Sequence, residues 1–482
     1  MSDAALLAIA VDRNAAQPLF QQVYEEIRQR ILAGHLQPKA QLPPTRQFAQ
    51  ELGLSRSTIT AAYEQLICEG YAAGQRGSGI YVTELPEDSL QTAIAAPRRT
   101  APVVRHGAGQ PRPFAAGIPD MSLFPYEKWA QAVARTARAT PRHLILSNDA
   151  FGDGELRSAV CDHLSEWRGF AATPEQIVIT AGAAGAIDMV FRSLAKPGNC
   201  VALEDPGYAP VRSVVSSLGL TPVWMRADEG GGANPEVLRT GGCFPHLICL
   251  TPSHQFPCGG AMPLARRLDF LDVARQTGSY IIEDDFDSEF RYSGRPIPAM
   301  AGLDEAGRVL YVGSFSKVFS AHIRLGYLVV PEPLVPRFRQ TAERFGVGAS
   351  IMPQRPLADF LRSGEFHRHI RRMRRIYADR REQFFNLVDR HLGPYVRYTD
   401  HQAGMTVLLR FKENWDDTLV ARRAEECGLE LEPASGFYAE QPAPPGLLAG
   451  FTACDVTELE AAVRMLSTVF ADMCRKGVSA RN

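Results

Sequence analysis

Apolar positions change their period along this chain. From Pro18 to about Ala33, Leu19, Val23, Ile27 and Ile31 recur at helical spacing until Gly34 stops the run. A shorter helix is expected from Thr45, read as its N-cap, burying Phe48, Ala49 and Leu52 and ending at Gly53. Ser55 caps a third, which buries Ile59, Ala62, Tyr63 and Leu66 and ends at Gly70. Two short helices about the turn Glu51–Ser55 predict a helix-turn-helix, and Tyr71–Val82 predicts a β-hairpin with its tip at 75–79. From Leu85 to about Pro113 no period is sustained and Ala, Pro and Arg dominate, as in a semi-extended connector. After Phe114, helical patterns alternate with apolar runs at Ile177–Thr180, Val201–Glu204, Leu247–Leu250, Tyr280–Glu283 and Val309–Val312. That alternation predicts βαβ units and a mainly parallel sheet covered by helices. The expected division is 12–84 for a DNA-binding domain, 85–113 for a linker and 114–471 for an α/β body, with a frayed tail from Arg475.

A length of 482 residues calls for two or three domains. The formal net charge of -1 means that any basic footprint is local. The nine cysteines are scattered and lack metal-ligand spacing, so no metal site is expected and a reducing, cytoplasmic setting is. No apolar run reaches membrane-spanning length, and Met1–Ala10 has Asp3 and no basic start, so neither a membrane span nor a signal peptide is expected.

In the first domain the start of the third helix leaves Arg56, Ser57 and Thr60 outside, opposite Ile59 and Tyr63. Recognition helices present such positions to base edges. Arg46 is placed to reach the DNA backbone, and Gly77, Ser78 and Gly79 at the hairpin tip permit close approach to a groove. The plainer alternative is a small helical docking domain, because charges in 12–84 nearly cancel.

Beyond the last apolar run lies Ser314-Phe-Ser-Lys-Val-Phe-Ser-Ala-His-Ile-Arg324. An amine there can form a Schiff base with an aldehyde, while hydroxyls and a guanidinium bind a phosphate dianion. Those are the needs of pyridoxal phosphate, and Lys317 is the only lysine between Lys196 and Lys412. Other strand ends carry matching groups. Gly182, Ala183 and Ala184 open a helix whose free amides suit a phosphate. Asp284 suits a protonated pyridine nitrogen, Tyr208 can stack on the ring, and His254 falls near the phenolic oxygen. Ser314, Ser316 and Arg324 complete the phosphate set. Taken singly, each has a plain alternative: a tight turn, a core aromatic, a helix cap or a surface lysine.

Four stretches of the first domain closely resemble the winged helix-turn-helix of GntR-type bacterial repressors: Pro18–Gln22, Leu42–Arg46, Leu54–Thr58 and Glu69–Tyr71. The body resembles fold-type I aminotransferases through Gly117–Asp120, Glu204–Tyr208, Thr251–Pro257, Ile282–Asp285 and Ser314–Tyr327. In this order the two halves resemble the MocR/GabR group of regulators. The resemblance implies DNA contacts at Arg46, Arg56 and the 77–79 wing, a homodimer, and an effector that is an amine, an amino-acid-like molecule or pyridoxal phosphate itself. A catalytically active aminotransferase with an appended reader is the alternative, and a cofactor-free body a third.

Departures from the family pattern weigh on that choice. Phe286 stands where a tyrosine usually bonds the cofactor phenolate, and Cys258 where a threonine is usual. Ala183 and Ala184 replace polar side chains of the phosphate loop. Leu448 stands where an arginine usually fixes the substrate α-carboxylate, leaving Arg212 as a substitute anion anchor and effector-binding residue. Arg368, Arg371, Arg372, Arg374, Arg375, Arg380 and Arg381 are expected on the solvated face of a basic helix over 364–385.

Overall fold

The computed structural model describes residues 9, 11–13, 17–75, 79–84, 111–139, 149–228, 232–240, 244–294, 297–346 and 348–475. The chain divides into two compact units, Met1–Gly107 and Ala108–Asn482. The linker expected at 85–113 lies outside the described residues from 85 to 110.

In the first unit, α1 (Leu19–Leu32), α2 (Thr45–Glu51) and α3 (Arg56–Cys68) precede a hairpin of β1 (Ala72–Gln75) and β2 (Gly79–Val82). The hairpin pairs Ala72 with Val82 and Gln75 with Gly79. Val23, Ile27, Phe48, Ile59, Tyr63 and Leu66 form the core, the faces that the helical period selects. Ser55 caps α3 by accepting the Thr58 amide at 3.1 Å. Thr45 is not a cap: Pro44 holds that position, in extended backbone, and Thr45 is the first helical residue. Leu52 is only half-buried, because α2 ends there and its C-terminal turn faces outward.

The second unit begins with α4 (Tyr126–Ala139), α5 (Gly154–Arg168), β3 (Ile177–Thr180), α6 (Gly182–Leu194), β4 (Cys200–Asp205), α7 (Ala209–Ser217), β5 (Thr221–Asp228) and β6 (Gly232–Ala233). It continues with α8 (Glu236–Thr240), β7 (Leu247–Leu250), α9 (Leu264–Thr277), β8 (Tyr280–Asp285), β9 (Val309–Ser314), β10 (Gly326–Val329), α10 (Val335–Phe345), α11 (Gln354–Arg362) and α12 (Glu365–His391). Its eight-stranded sheet runs β3-β10-β9-β8-β7-β4-β5-β6. The five strands from β9 to β5 are mutually parallel, whereas β10 is antiparallel to both neighbours. The central strands are covered on both faces and carry apolar runs, with β3 buried at all four positions, whereas β5 near the edge is exposed at several positions. Cys200 is disulfide-bonded, although the scattered cysteines suggested a reducing setting.

A smaller antiparallel sheet, β11-β12-β14-β13, is built from β11 (Val396–Arg397), β12 (Thr406–Phe411), β13 (Glu432–Pro433) and β14 (Gly446–Gly450). With α13 (Asp417–Glu426), α14 (Val456–Arg475) and the end of α12 it encloses Phe384, Val388, Leu409, Leu447 and Phe470.

The helix α12 corrects one expectation. Arg368, Arg371, Arg372 and Arg375 are exposed and Arg374 is half-buried, but Arg380 and Arg381 are buried. At a period of 3.6 residues, positions 380 and 381 fall on the stripe that carries Tyr377 and Phe384. Burial is tolerated because each finds a carboxylate: Arg380 bonds Asp120 at 2.7 Å, and Arg381 pairs with Asp400.

Candidate cofactor cavity and DNA-reading face

The carboxyl ends of the parallel strands open on a cavity of about 720 Å³. Lys317 enters it from the loop after β9, Asp284 from the end of β8, and Tyr208 from the loop after β4. Gly182, Ala183 and Ala184 line it from the start of α6, together with Ser314, Ser316 and Arg324. Nine of the ten residues read as cofactor ligands therefore share one space.

The phosphate end is open. α6 begins without a side-chain cap, so its first amides point outward unpaired. Arg324 adopts a left-handed conformation, φ 50 and ψ 46, that costs a non-glycine residue on the order of 1 kcal/mol or more. Its side chain has no hydrogen-bond or ion-pair partner among the described residues, as a guanidinium waiting for an anion would.

At the other end, Asp284 Oδ1 is buried and lacks a partner. Burial, with Asp285, Glu204 and Asp287 close by, pushes the Asp284 carboxyl up to about 7, and Lys317 pulls it back in part. A protonated ring nitrogen would satisfy that oxygen and stabilise its charge. Burial also lowers the Lys317 pKa, an effect that Asp287, Glu432 and Asp284 partly offset. Gly117 passes so close that a Cβ there would stand 2.6 Å from Lys317 Nζ. Tyr208 is 41% exposed and meets Phe256 edge-on at 5.9 Å.

Two expected residues lie elsewhere. His254 is buried outside the cavity wall: Nδ1 bonds the two Asp287 oxygens at 2.9 and 3.1 Å, and the ring lies 5.7 Å from Phe286. Burial disfavours a charged ring, but the Asp287 carboxylate outweighs it and raises the His254 pKa. The imidazole thus orients Asp287, which does line the cavity. Arg212 is spent on the backbone, donating to Phe437 O at 2.8 Å and Gly436 O at 2.5 Å. It clamps the 3-10 turn Ala434–Phe437 rather than facing the cavity, because those carbonyls reach its guanidinium first.

Other lining residues escaped the sequence reading, among them Gly117, Asp287, His322, Thr406, Glu432 and Phe437. The Asp-Asp-Phe-Asp run at 284–287 was a usable signal for Asp287. Glu432 had none, since it sits on a two-residue strand.

On the reader, Arg46, Arg56 and Ser57 are exposed, with Arg56 Nε 3.4 Å from Thr45 Oγ1. Thr60 is half-buried and its hydroxyl donates to the Arg56 carbonyl at 2.9 Å, so it offers chiefly its methyl group outward. Gly79 is exposed with φ 117, where a Cβ would stand 2.7 Å from Gln41 Nε2. Gly77 and Ser78 lie outside the described residues.

The family model for bacterial regulatory proteins, gntR family, matches residues 19–82, and that for aminotransferase class I and II matches 113–465. The chain is 34% identical over 474 residues to the probable rhizopine catabolism regulatory protein MocR of Rhizobium meliloti, with 96% of each chain covered. The chain belongs to the MocR-type regulators of the GntR family. This MocR-type chain is also 30% identical to the pyridoxine biosynthesis transcriptional regulator PdxR of Corynebacterium glutamicum, over 93% of this chain and 95% of that one. Among solved structures, its body resembles LysN, an α-aminoadipate aminotransferase of Thermus thermophilus complexed with N-(5'-phosphopyridoxyl)-L-leucine. The TM-score is 0.69 at 27% identity, covering 75% of this chain and 92% of that one. The body is thus a fold-type I aminotransferase-like domain, and its orphaned Asp284 oxygen, its amine and its unpaired Arg324 fit pyridoxal phosphate as cofactor. Among the described residues no helix is long and apolar enough to cross a membrane.

Proposed function

We propose that this transcriptional regulator holds pyridoxal phosphate at Lys317 and uses the cavity to sense a small amine, an amino-acid-like molecule or the cofactor itself. Ser314, Ser316, Arg324 and the amides of Gly182–Ala184 would take the phosphate, and Asp284 the ring nitrogen. Tyr208 would cover one ring face. The cofactor, when bound, supplies an aldehyde that combines reversibly with amines. Burial leaves more of the Lys317 amine neutral, the form that attacks an aldehyde. Arg46, Arg56, Ser57, the Thr60 methyl and the 77–79 wing would contact operator DNA. The family resemblance extends the reading to a cytoplasmic homodimer.

The observation that carries it is the single cavity with a partnerless buried carboxylate oxygen at one end and an unpaired guanidinium beside open helix amides at the other. A working aminotransferase is less favoured. Leu448 is wholly buried beside Cys258, Leu408, Ala434 and Phe437 and cannot itself pair with an α-carboxylate, and Phe286 offers no hydroxyl. The test is the visible spectrum of the full chain loaded with pyridoxal phosphate. Lys317→Ala should abolish the visible band while far-UV circular dichroism is unchanged; an unaltered band in the variant refutes the assignment.

A further inference from the structure

Once the phosphate and ring nitrogen are assigned, the rest of the cavity faces the smaller sheet, and its chemistry is unusual for an amino-acid site. That wall is formed by Ala116, Gly117, Phe256, Thr406, Glu432 and Phe437. Glu432 is the charged side chain among them, and it makes no hydrogen bond or ion pair with another described residue. The other cavity carboxylates are engaged: Asp287 by His254, Asp284 by the ring nitrogen in the reading above.

The β register places this acid. Glu432 on β13 pairs with Leu448 on β14, and Leu448 in turn pairs with Leu408 on β12. Directly paired residues project to the same face of a sheet. Leu448 is fully buried under an apolar layer with Leu408, Cys258 and Phe437. Next to it Glu432 looks into the cavity, close enough to Lys317 for each to shift the other's proton affinity. A carboxylate arriving at this wall finds no cationic side chain among the wall residues and meets the Glu432 carboxylate. A cation or strong hydrogen-bond donor finds an acid without a partner.

We propose that the effector is an aliphatic diamine, or a larger polyamine, with one amino group presented at Lys317 and a second, protonated one held by Glu432. This rests on the pyridoxal phosphate reading and narrows it: the signal has no carboxylate beside its reacting amine. The apolar lining residues Ala116, Phe256 and Phe437 suit the methylene chain between the two nitrogens.

The test is isothermal titration of the full-length, pyridoxal-phosphate-loaded protein with ligands matched in length, the visible band and operator DNA affinity being followed alongside. Putrescine is compared with γ-aminobutyrate, and cadaverine with δ-aminovalerate. Each diamine should bind at least about tenfold more tightly than its amino-acid counterpart, the scale of one charge-assisted hydrogen bond. Glu432→Gln, a change of similar size on a short edge strand, should cost the diamines about tenfold and leave the amino acids unchanged or improved. Equal or tighter binding of the amino acids in the wild type overturns the proposal. So does a diamine affinity indifferent to Glu432→Gln in protein that keeps its visible band. Absence of the band in the wild type overturns the cofactor reading as well, so the two failures are told apart.

Discussion

Removal of the Arg380 side chain should be the most costly single change on the basic helix α12. Arg380 donates Nη2 to Asp120 Oδ2 and Nη1 to Thr452 O, each at 2.7 Å, and both Arg380 and Asp120 are under 9% exposed. In Arg380→Ala, Asp120 Oδ1 keeps the Ser122 amide and hydroxyl, but Oδ2 is left buried and unpaired. Breaking a buried pair in this way costs about 3–5 kcal/mol. Exposed Arg371→Ala, one charge fewer on the same helix, should stay within about 0.5 kcal/mol. All four tryptophans, Trp129, Trp167, Trp224 and Trp415, lie in the second unit, so urea unfolding followed by their fluorescence reports on that unit alone. The site should feel the change too. The strap Gly117–Asp120 crosses Lys317 and is pinned by Thr452 Oγ1 to Ile118 O, the Asp120 amide to Tyr377 Oη, and Arg380. Loosening it should weaken pyridoxal phosphate retention on dialysis. Adding Asp120→Asn to Arg380→Ala removes the stranded charge and should recover part of the lost stability. Equal unfolding midpoints for the Arg380 and Arg371 variants would refute this account of the helix.

On the reader, Arg56→Ala should lose about 1–3 kcal/mol of discrimination at one or two operator positions. Arg46→Ala should weaken all sequences about equally and lower the salt slope by about 1, and unchanged binding in both variants would refute the placement of α3. In the pocket, Leu448→Arg alone should gain little, because Glu432 lies across from it in the β register and would pair with the new guanidinium. Leu448→Arg combined with Glu432→Gln should bind ordinary α-amino acids about tenfold more tightly, from one charge-assisted contact, and calorimetry showing no gain would count against the pocket geometry.

The legible parts of this chain were those where a local rule and the tertiary structure agree. The three reader helices follow their apolar stripes, and Ser55 caps as its side chain demands. Four of the five parallel strands, β4, β7, β8 and β9, carry short buried apolar runs bounded by chemistry-bearing loops, so most of the cavity could be assembled from strand ends; β5, polar and exposed at several positions, gave no such run. Where the reading failed, an unseen partner decided the outcome. β10 is as apolar as the parallel strands, and composition does not encode the direction in which a buried strand runs. Arg380 and Arg381 looked solvated because Asp120 and Asp400, distant or displaced in sequence, were not visible as their acids. Arg212 and His254 carry the expected chemistry, but the carbonyls of the 434–437 turn and the Asp287 carboxylate claim it first.

Glu432 is the converse case, a residue with no local signal that acquires meaning only from register. A leucine at 448 can be read two ways from sequence: as loss of function, or as a change of ligand. Loss alone predicts an apolar wall with no further polarity, since a degenerating site has no reason to gather charge. The pairing of Leu448 with an unpartnered acid that faces the cavity is a reversal of sign rather than a deletion. Glu432 is exposed on the cavity side, and what burial it has in the half-enclosed cavity raises its pKa, a modest desolvation cost to the carboxylate. A cationic ligand would recover that cost only in the bound state, and differential affinity of this kind is what lets a ligand shift an equilibrium between conformations. The same substitution that removes the anchor of an amino-acid enzyme therefore leaves a site suited to reading amines that such an enzyme would not hold.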